Sequence, residues 1–188
     1  MQIKSLINQL CLLVAFSGMT SLAAASDFRD AEWGMTLRQV LALHPGELPA
    51  DRRIRYVAFD GKLVNLDVKI FYQFNSDGEL FQAGYQFLTE DRLEAVIGDY
   101  QRLNALLKKR YPESGDPVQS WHNRLFEDKP EEWARAVRIG HLDYLWQHTV
   151  SGSVIAHSLS GSRREISHLL SYEAAPEDVA ESDLEQLF

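Results

Sequence analysis

Three histidines in the last third of the chain, His148, His157 and His168, come nearest in type and spacing to a chemical site. Apolar residues alternate with polar ones around them, and in a strand that period puts every second side chain on one face. A two-residue loop at Gly152-Ser153 suits glycine at the first position of a type II′ turn. It pairs Val150 with Ile155, His148 with His157 and Trp146 with Leu159. A second turn centred on Ser162-Arg163 then pairs Leu159 with Ile166, His157 with His168 and Ile155 with Leu170. The product is a row of three imidazoles between two apolar rows. Neutral imidazoles converging from neighbouring strands are ligands for Zn²⁺ or Cu²⁺, with a further position open to water. Cross-strand Cβ atoms stand ~5 Å apart, so a straight row spans roughly 10 Å and reaches one ion only if its outer members lean inward. The commoner role of such histidines is a hydrogen-bonded side chain at the margin of the core. The leading expectation is therefore no cofactor, with Zn or Cu at the row as the alternative and proton-linked behaviour as a third reading.

The second set is aromatic. Trp33, Trp121, Trp133 and Trp146, with Tyr72, Tyr85, Tyr100 and Tyr144, are core residues at strand and helix spacing or line a cleft between sheet and helices. Trp121 and His122 fall in the loop-rich centre, Trp133 stands near a helix start, and with Trp146 they are the candidate ligand contacts. Serines gather at Ser151, Ser153, Ser158, Ser160 and Ser162, close to the histidines. Turns favour serine for backbone reasons, and that outweighs a Ser-His nucleophile. The sequence contains no Gly-rich phosphate loop, His-Glu-x-x-His, Gly-x-Ser-x-Gly or Cys-x-x-Cys.

The elements that must position these residues follow from periodicity. Residues 37–44 have helical spacing, with Thr36 as N-cap and Pro45-Gly46 as the stop. Leu66, Val68, Ile70, Tyr72 and Phe74 alternate as a half-buried strand, bounded by turns at Asp60-Gly61 and Ser76-Asp77-Gly78. With residues 54–59 and 80–88 it makes a three-stranded meander in which Phe81, Ala83, Tyr85 and Phe87 share a face. Residues 90–111 carry the longest apolar stripe of helical period, closed by Tyr111-Pro112. A short strand at 118–126 and a helix to about Ile139 follow, the helix opened by Asp128 and Pro130 with Glu131 and Glu132 in its first turn. Residues 142–150, 154–160 and 165–173 form a second meander. The fold class is α+β: antiparallel strands in one sheet or two abutting sheets, with the helices on one face. Helix-plus-meander occurs twice, which suggests two related halves without a repeat in the sequence.

Residues 28–36, Phe-Arg-Asp-Ala-Glu-Trp-Gly-Met-Thr, lead towards Val40, and Trp146, Ile155, Leu159 and Tyr172 spread over the final meander. These marks resemble the two ends of a loose group of uncharacterised exported bacterial proteins with a Trp-Gly-Met-Ser/Thr opening and a C-terminal three-stranded meander. The resemblance implies fold and compartment and brings no activity. The order of helix then meander also looks like small periplasmic folds of the outer-membrane assembly lipoprotein and β-lactamase inhibitor kind, which bind other proteins. That analogy is architectural.

The compartment is read from the start of the chain. Lys4, an apolar stretch at residues 10–16 and the small residues ending in Ala23-Ala24-Ala25 have the three parts of a signal peptide, with cleavage expected after Ala25. The stretch is far shorter than the ~20 residues that span a bilayer, so no membrane anchor is expected after cleavage. Cys11, the only cysteine, leaves with it, and no disulfide or thiol chemistry remains. The formal charge of −8 becomes −9 once Lys4 is removed, which argues against nucleic acid as a partner despite the clusters Arg52-Arg53-Arg55, Lys108-Lys109-Arg110 and Arg163-Arg164. Residues 26–173 then form a single α+β domain, and 174–188 an acidic, loosely ordered tail ending in Leu187-Phe188. The expectation is a periplasmic or secreted, non-catalytic module that binds an envelope protein or a small ligand. The alternative is a metal-binding protein or hydrolase built on the histidine row.

Overall fold

Period-two segments from Asp51 onward pair side by side because each strand's unsatisfied backbone groups need a neighbour. The computed structural model describes residues 27–89, 93–162 and 165–175. The expected signal peptide, the Arg163-Arg164 pair and the tail beyond Ala175 lie outside the described residues. The strands are β1 (Asp51–Arg53), β2 (Tyr56–Leu63), β3 (Leu66–Phe74), β4 (Leu80–Phe87), β5 (Val118–Trp121), β6 (Leu142–Val150), β7 (Ser153–Ser162) and β8 (Glu165–Ala174). They form one eight-stranded antiparallel sheet in the order β1-β2-β3-β4-β8-β7-β6-β5. The two meanders meet at β4 and β8, where Tyr85 pairs with Leu170 and Gly84 with Ser171. Gly84 is required there: a Cβ would stand 2.9 Å from the Ser171 Cα and 3.0 Å from the Phe71 ring.

Cross-strand rows run the width of the sheet. Trp146, His157, Leu170, Tyr85, Ile70 and Phe59 are successive partners, and so are His148, Ile155, Tyr172, Ala83, Tyr72 and Val57. These rows belong to the face the helices cover, and most of their members lie in the core. Helix α1 (Leu37–Ala42) starts from a capping box in which Thr36 and Gln39 exchange hydrogen bonds, and it buries Val40. Helix α2 (Val96–Arg110) follows a 3₁₀ turn at Leu93–Ala95 and buries Val96, Tyr100, Leu103 and Leu107. Its last turn holds Lys108, Lys109 and Arg110, which complement the helix dipole, and Tyr111 caps it before Pro112. Helix α3 (Trp133–Arg138) follows the 3₁₀ turn Pro130–Glu132 and buries Ala136 and Val137. Gly161 of β7 lets α3 approach, since a Cβ there would overlap the Val137 carbonyl. The fold is thus α+β, with helices on one face of a single antiparallel sheet.

Local expectations fail where turn chemistry was misread. Asp60-Gly61 lies inside β2, and the turn is made by Val64 and Asn65 at φ of 50° and 65°. A valine in the left-handed region is an outlier, so composition does not announce this turn. Gly61 is small because Ile70 packs over it. Residue Ile54 is a turn tip, 96% exposed, between β2 and the edge strand β1. A bulge opposite Gln73 and Phe74 skips Phe81 and turns Leu80 into the core. Strand β5 stops at Trp121, and residues Arg124–Phe126 form a 3₁₀ turn capped by Asn123. The residue capping the Pro130 turn is Lys129, not Asp128, and its side chain makes no capping bond.

Candidate functional site

The hairpin between β6 and β7 turns at Ser151 and Gly152, at φ of 38° and 79°, with Val150 opposite Ser153. Two positive φ values make a type I′ turn rather than II′, and because its centre lies one residue earlier than expected, every β6 partner moves by two residues along β7. His148 therefore faces Ile155, Trp146 faces His157 and Tyr144 faces Leu159. On the other side Ser162 pairs with Glu165, so His157 faces Leu170 and Leu159 faces His168. A shift of two preserves the face and breaks the row. His148 stands apart, half-buried, with Tyr111 at 5.3 Å and Trp146 at 6.1 Å between ring centres. Among the described residues no three or more His, Cys, Asp or Glu side chains are grouped so as to hold a metal ion.

His157 and His168 still meet, as diagonal neighbours, with Nε2 to Nε2 at 2.9 Å. His157 is fully buried and His168 is 1% exposed. His157 Nδ1 lies 2.9 Å from Asn104 Oδ1 on α2, and the rings stack on Tyr100 and Phe87 respectively. Burial, and secondarily His168, push the His157 pKa down to about 2. Burial pushes His168 down to about 4, with Asp99 of α2 pulling it back up. Both imidazoles are neutral at ordinary pH.

Proton positions follow. The amide oxygen of Asn104 can only accept, so His157 Nδ1 carries the proton and donates it. Neutral His157 then has a bare Nε2, which accepts from His168 Nε2–H. Asn104 itself is 8% exposed, and its Nδ2 makes no hydrogen bond. Burial lifts the Tyr100 pKa to about 12, against the downward pull of the neighbouring Asn104 amide. The hydroxyl donates to the His157 carbonyl at 3.2 Å.

Asn104 lines a cleft of about 440 Å³ between α2, residues 115–117, β5, α3 and β6. Its aromatic lining is Tyr100, Trp133, Tyr144 and Trp146, and Lys108 and Asp116 are among its polar residues. Two of the four expected ligand contacts, Trp133 and Trp146, are therefore in it. Trp121 is behind, edge-on to Trp133 at 6.0 Å. His122 is elsewhere, exposed, with Nε2 2.7 Å from Asp143. Polar edges of the walls are already engaged: Trp146 Nε1 donates to the Gly115 carbonyl at 3.0 Å and Trp133 Nε1 to the Phe126 carbonyl at 3.1 Å. Tyr144 accepts from Gln119 at 3.3 Å, and burial raises its pKa against that bond.

A second cleft, of about 610 Å³, opens between α2, the β6–β7 hairpin and the segment from Asp27. Ser153, from the serine cluster, accepts from Trp33 Nε1 at 3.0 Å and is structural. Sequence reasoning named Tyr100 among the cleft aromatics and missed Asn104 as a site residue. The signal was present, because Asn104 follows Tyr100 by one helical turn inside the apolar stripe, and a polar residue there must find a buried partner. No helix among the described residues is long and apolar enough to cross a membrane. Comparison with protein-family models, curated proteins and solved structures finds no match to this chain.

Proposed function

We propose that the protein is an exported, non-catalytic binding module whose ligand is a small molecule held in the cleft between α2 and β6. One observation carries the reading: a cleft of about 440 Å³ is walled by four aromatic side chains, Tyr100, Trp133, Tyr144 and Trp146. A largely apolar cavity of 300–1,000 Å³ with few, placed polar groups is the usual form of a small-molecule site. In the histidine pair, each of the two His157 ring nitrogens has a partner, so the pair serves to set Asn104 rather than to attack a substrate.

Export supplies the compartment in this proposal, with the chain beginning at Ser26 in the periplasm or outside the cell. The duplicated-halves reading belongs here too. Each half would be a helix, a short edge strand and a three-stranded meander, and the mirrored strand order supports it.

The test uses protein purified from the envelope fraction of cells expressing the full chain. Its intact mass is expected to be that of residues 26–188. Indole N–H resonances of Trp133 and Trp146 should shift with a saturable dose dependence when a mixture of aromatic fragments is added, and Trp133→Ala should abolish the response. Fragments that move neither resonance would remove the cleft as the binding site.

A further inference from the structure

We propose that the second cleft, on another face of α2, is a site for a free alkyl-chain carboxylate of the fatty-acid kind, with its carboxylate on Arg110 and its chain between Val64 and the apolar stripe of the helix. This site is independent of the cleft between α2 and β6 and of what that cleft binds.

Helix spacing lays out the path of the chain. Leu103, Leu106, Leu107 and Arg110 line this cleft at intervals of three and four, which stacks them on one face of α2. At a rise of 1.5 Å per residue the stripe runs ~10 Å from Leu103 to the cation in the last turn. Leu103 and Leu107 are buried, Leu106 is exposed, and the sheet supplies Ile155 and Leu170, both buried. An apolar trough of about 610 Å³ that ends in a cation has the form of a hydrocarbon chain with an anionic head.

Backbone strain gathers at the same place. Arg29, Val64 and Ser151, three of the four non-glycine residues with positive φ among the described residues, all line this cleft, at φ of 54°, 50° and 38°. Residues held in that region persist only where the surrounding structure fixes them, and they cluster at ligand sites. Val64 is the most informative. It is β-branched and 41% exposed, so neither conformational preference nor burial accounts for a valine there. A hydrocarbon chain lying against its side chain does.

The polar lining suits an anion. It holds two guanidiniums, Arg29 and Arg110, against one carboxylate, Asp27, whose Oδ2 accepts from the Trp33 backbone N–H at 2.8 Å. Arg29 already has an interaction of its own, so the head group falls to Arg110. The Arg110 side chain is exposed, its Nε donates to the Tyr111 hydroxyl at 3.1 Å, and it enters no ion pair among the described residues. Its outer N–H groups are left to a carboxylate, the partner a guanidinium fits best. The hydroxyls of Tyr85 and Tyr172 make no hydrogen bond among the described residues and are not among the sealed polar atoms, so an occupant can reach them. Burial pushes Tyr172 up to about 12 and raises Tyr85 as well, so both keep their protons and donate. Ser153 is taken by the Trp33 indole, and the Ser151 hydroxyl can serve either sign. A cationic head would find Asp27 already bonded and two guanidiniums to repel it.

Octanoate, decanoate and dodecanoate, with 1-decanol and decyltrimethylammonium as head-group controls, are titrated below their micelle concentrations into the purified protein by calorimetry, with indole resonances recorded in parallel. Trp33 Nε1 is held by Ser153 of this cleft and reports it, whereas Trp133 and Trp146 report the other cleft. Decanoate should move the Trp33 resonance saturably, leave the other two in place, and bind at least about tenfold more tightly than the alcohol or the ammonium. Octanoate to decanoate should gain at least about fivefold, against the roughly fifteenfold that two methylenes fully buried at ~0.8 kcal/mol each would give. Equal affinity for carboxylate and ammonium, no gain with chain length, or a response at Trp133 and Trp146 alone overturns the site. So does binding to phosphatidylglycerol vesicles without a response to soluble decanoate, which makes the surface a membrane contact. A peptide of residues 176–188 that moves Trp33 where decanoate does not assigns the cleft to the chain's own tail and overturns it too.

Two variants separate head from chain. Arg110→Gln should weaken decanoate at least about tenfold, as loss of a charged hydrogen-bonding partner does, and leave 1-decanol unchanged. Equal loss for both would overturn the role of Arg110. Val64→Asn relieves the strained turn and so should fold at least as stably as the parent, yet it should weaken decanoate and 1-decanol alike, by about threefold, because apolar contact is lost. Unchanged affinity in that variant would overturn the path of the chain.

Discussion

Lowering the pH from 7 to 5 should remove roughly 4 kcal/mol of folding stability through His157 and His168 together. In the unfolded chain each imidazole titrates near 6.5. In the fold, burial holds His157 at about 2 and His168 at about 4. A folded-state pKa depressed below the unfolded one means that the unfolded chain binds protons first as pH falls. Stability is therefore full above pH 6.5 and is lost progressively below it. For His168 the loss runs down to about 4, and for His157 to about 2. At pH 5 each unfolded imidazole is about 1.5 pH units below its own pKa, worth ~2 kcal/mol per residue at ~1.4 kcal/mol per unit. The sum hardly depends on the folded values so long as both stay below 5.

The assay is urea unfolding followed by tryptophan fluorescence at pH 7, 6 and 5. With a slope of ~2 kcal/mol per molar urea, the midpoint should fall by ~2 M over that range. The double variant His157→Asn/His168→Phe starts from lower stability, but its midpoint should be far less sensitive to pH. The reasoning fails if the parent midpoint moves by less than ~0.5 M, or if the double variant moves as far as the parent.

Three further outcomes follow from local geometry. Val64→Asn should raise stability by ~1 kcal/mol and the melting temperature by about 3 °C, because φ of 50° strains a β-branched residue and suits asparagine; an unchanged melting curve would count against that turn. Gly161→Ala places a methyl group against the Val137 carbonyl and should lift α3 from β7 at ~1–3 kcal/mol, with a changed near-ultraviolet dichroism from the Trp121–Trp133 pair. Stability within ~0.5 kcal/mol of the parent would mean that α3 does not dock there. Thr36→Ala removes the capping box of α1 and should lose ~1 kcal/mol in the same urea assay, whereas Thr36→Ser should be nearly neutral.

Faces were legible in the sequence, and registers were not. Alternation fixes which side of a strand is apolar, because the side-chain period of two is a property of the extended backbone. Val68, Ile70 and Tyr72 on β3, and Tyr144, Trp146, Ile155, His157 and Leu159 on β6 and β7, all lie buried on the face that spacing assigns. The helices were legible for a similar reason, since Thr36 with Gln39 and Tyr111 with Pro112 are local signals whose partners are a few residues away. Register depends on which of two similar turns a hairpin takes. At residues 150–153 the choice fell on Ser151-Gly152, in a conformation that serine does not advertise. The same holds at Val64-Asn65.

The joining of the two meanders through β4 and β8 is decided by contacts far apart in sequence, which no local pattern records. So is the site. His157 and His168 are eleven residues apart and meet across one hairpin, but their third partner, Asn104, comes from α2, fifty-three residues before His157. The sequence by itself placed three imidazoles, His148, His157 and His168, and one indole, Trp146, on the covered face. Only the packing of α2 over that face decided that the imidazoles would orient an amide, because a hydrogen bond is satisfied by position in space and not by spacing along the chain.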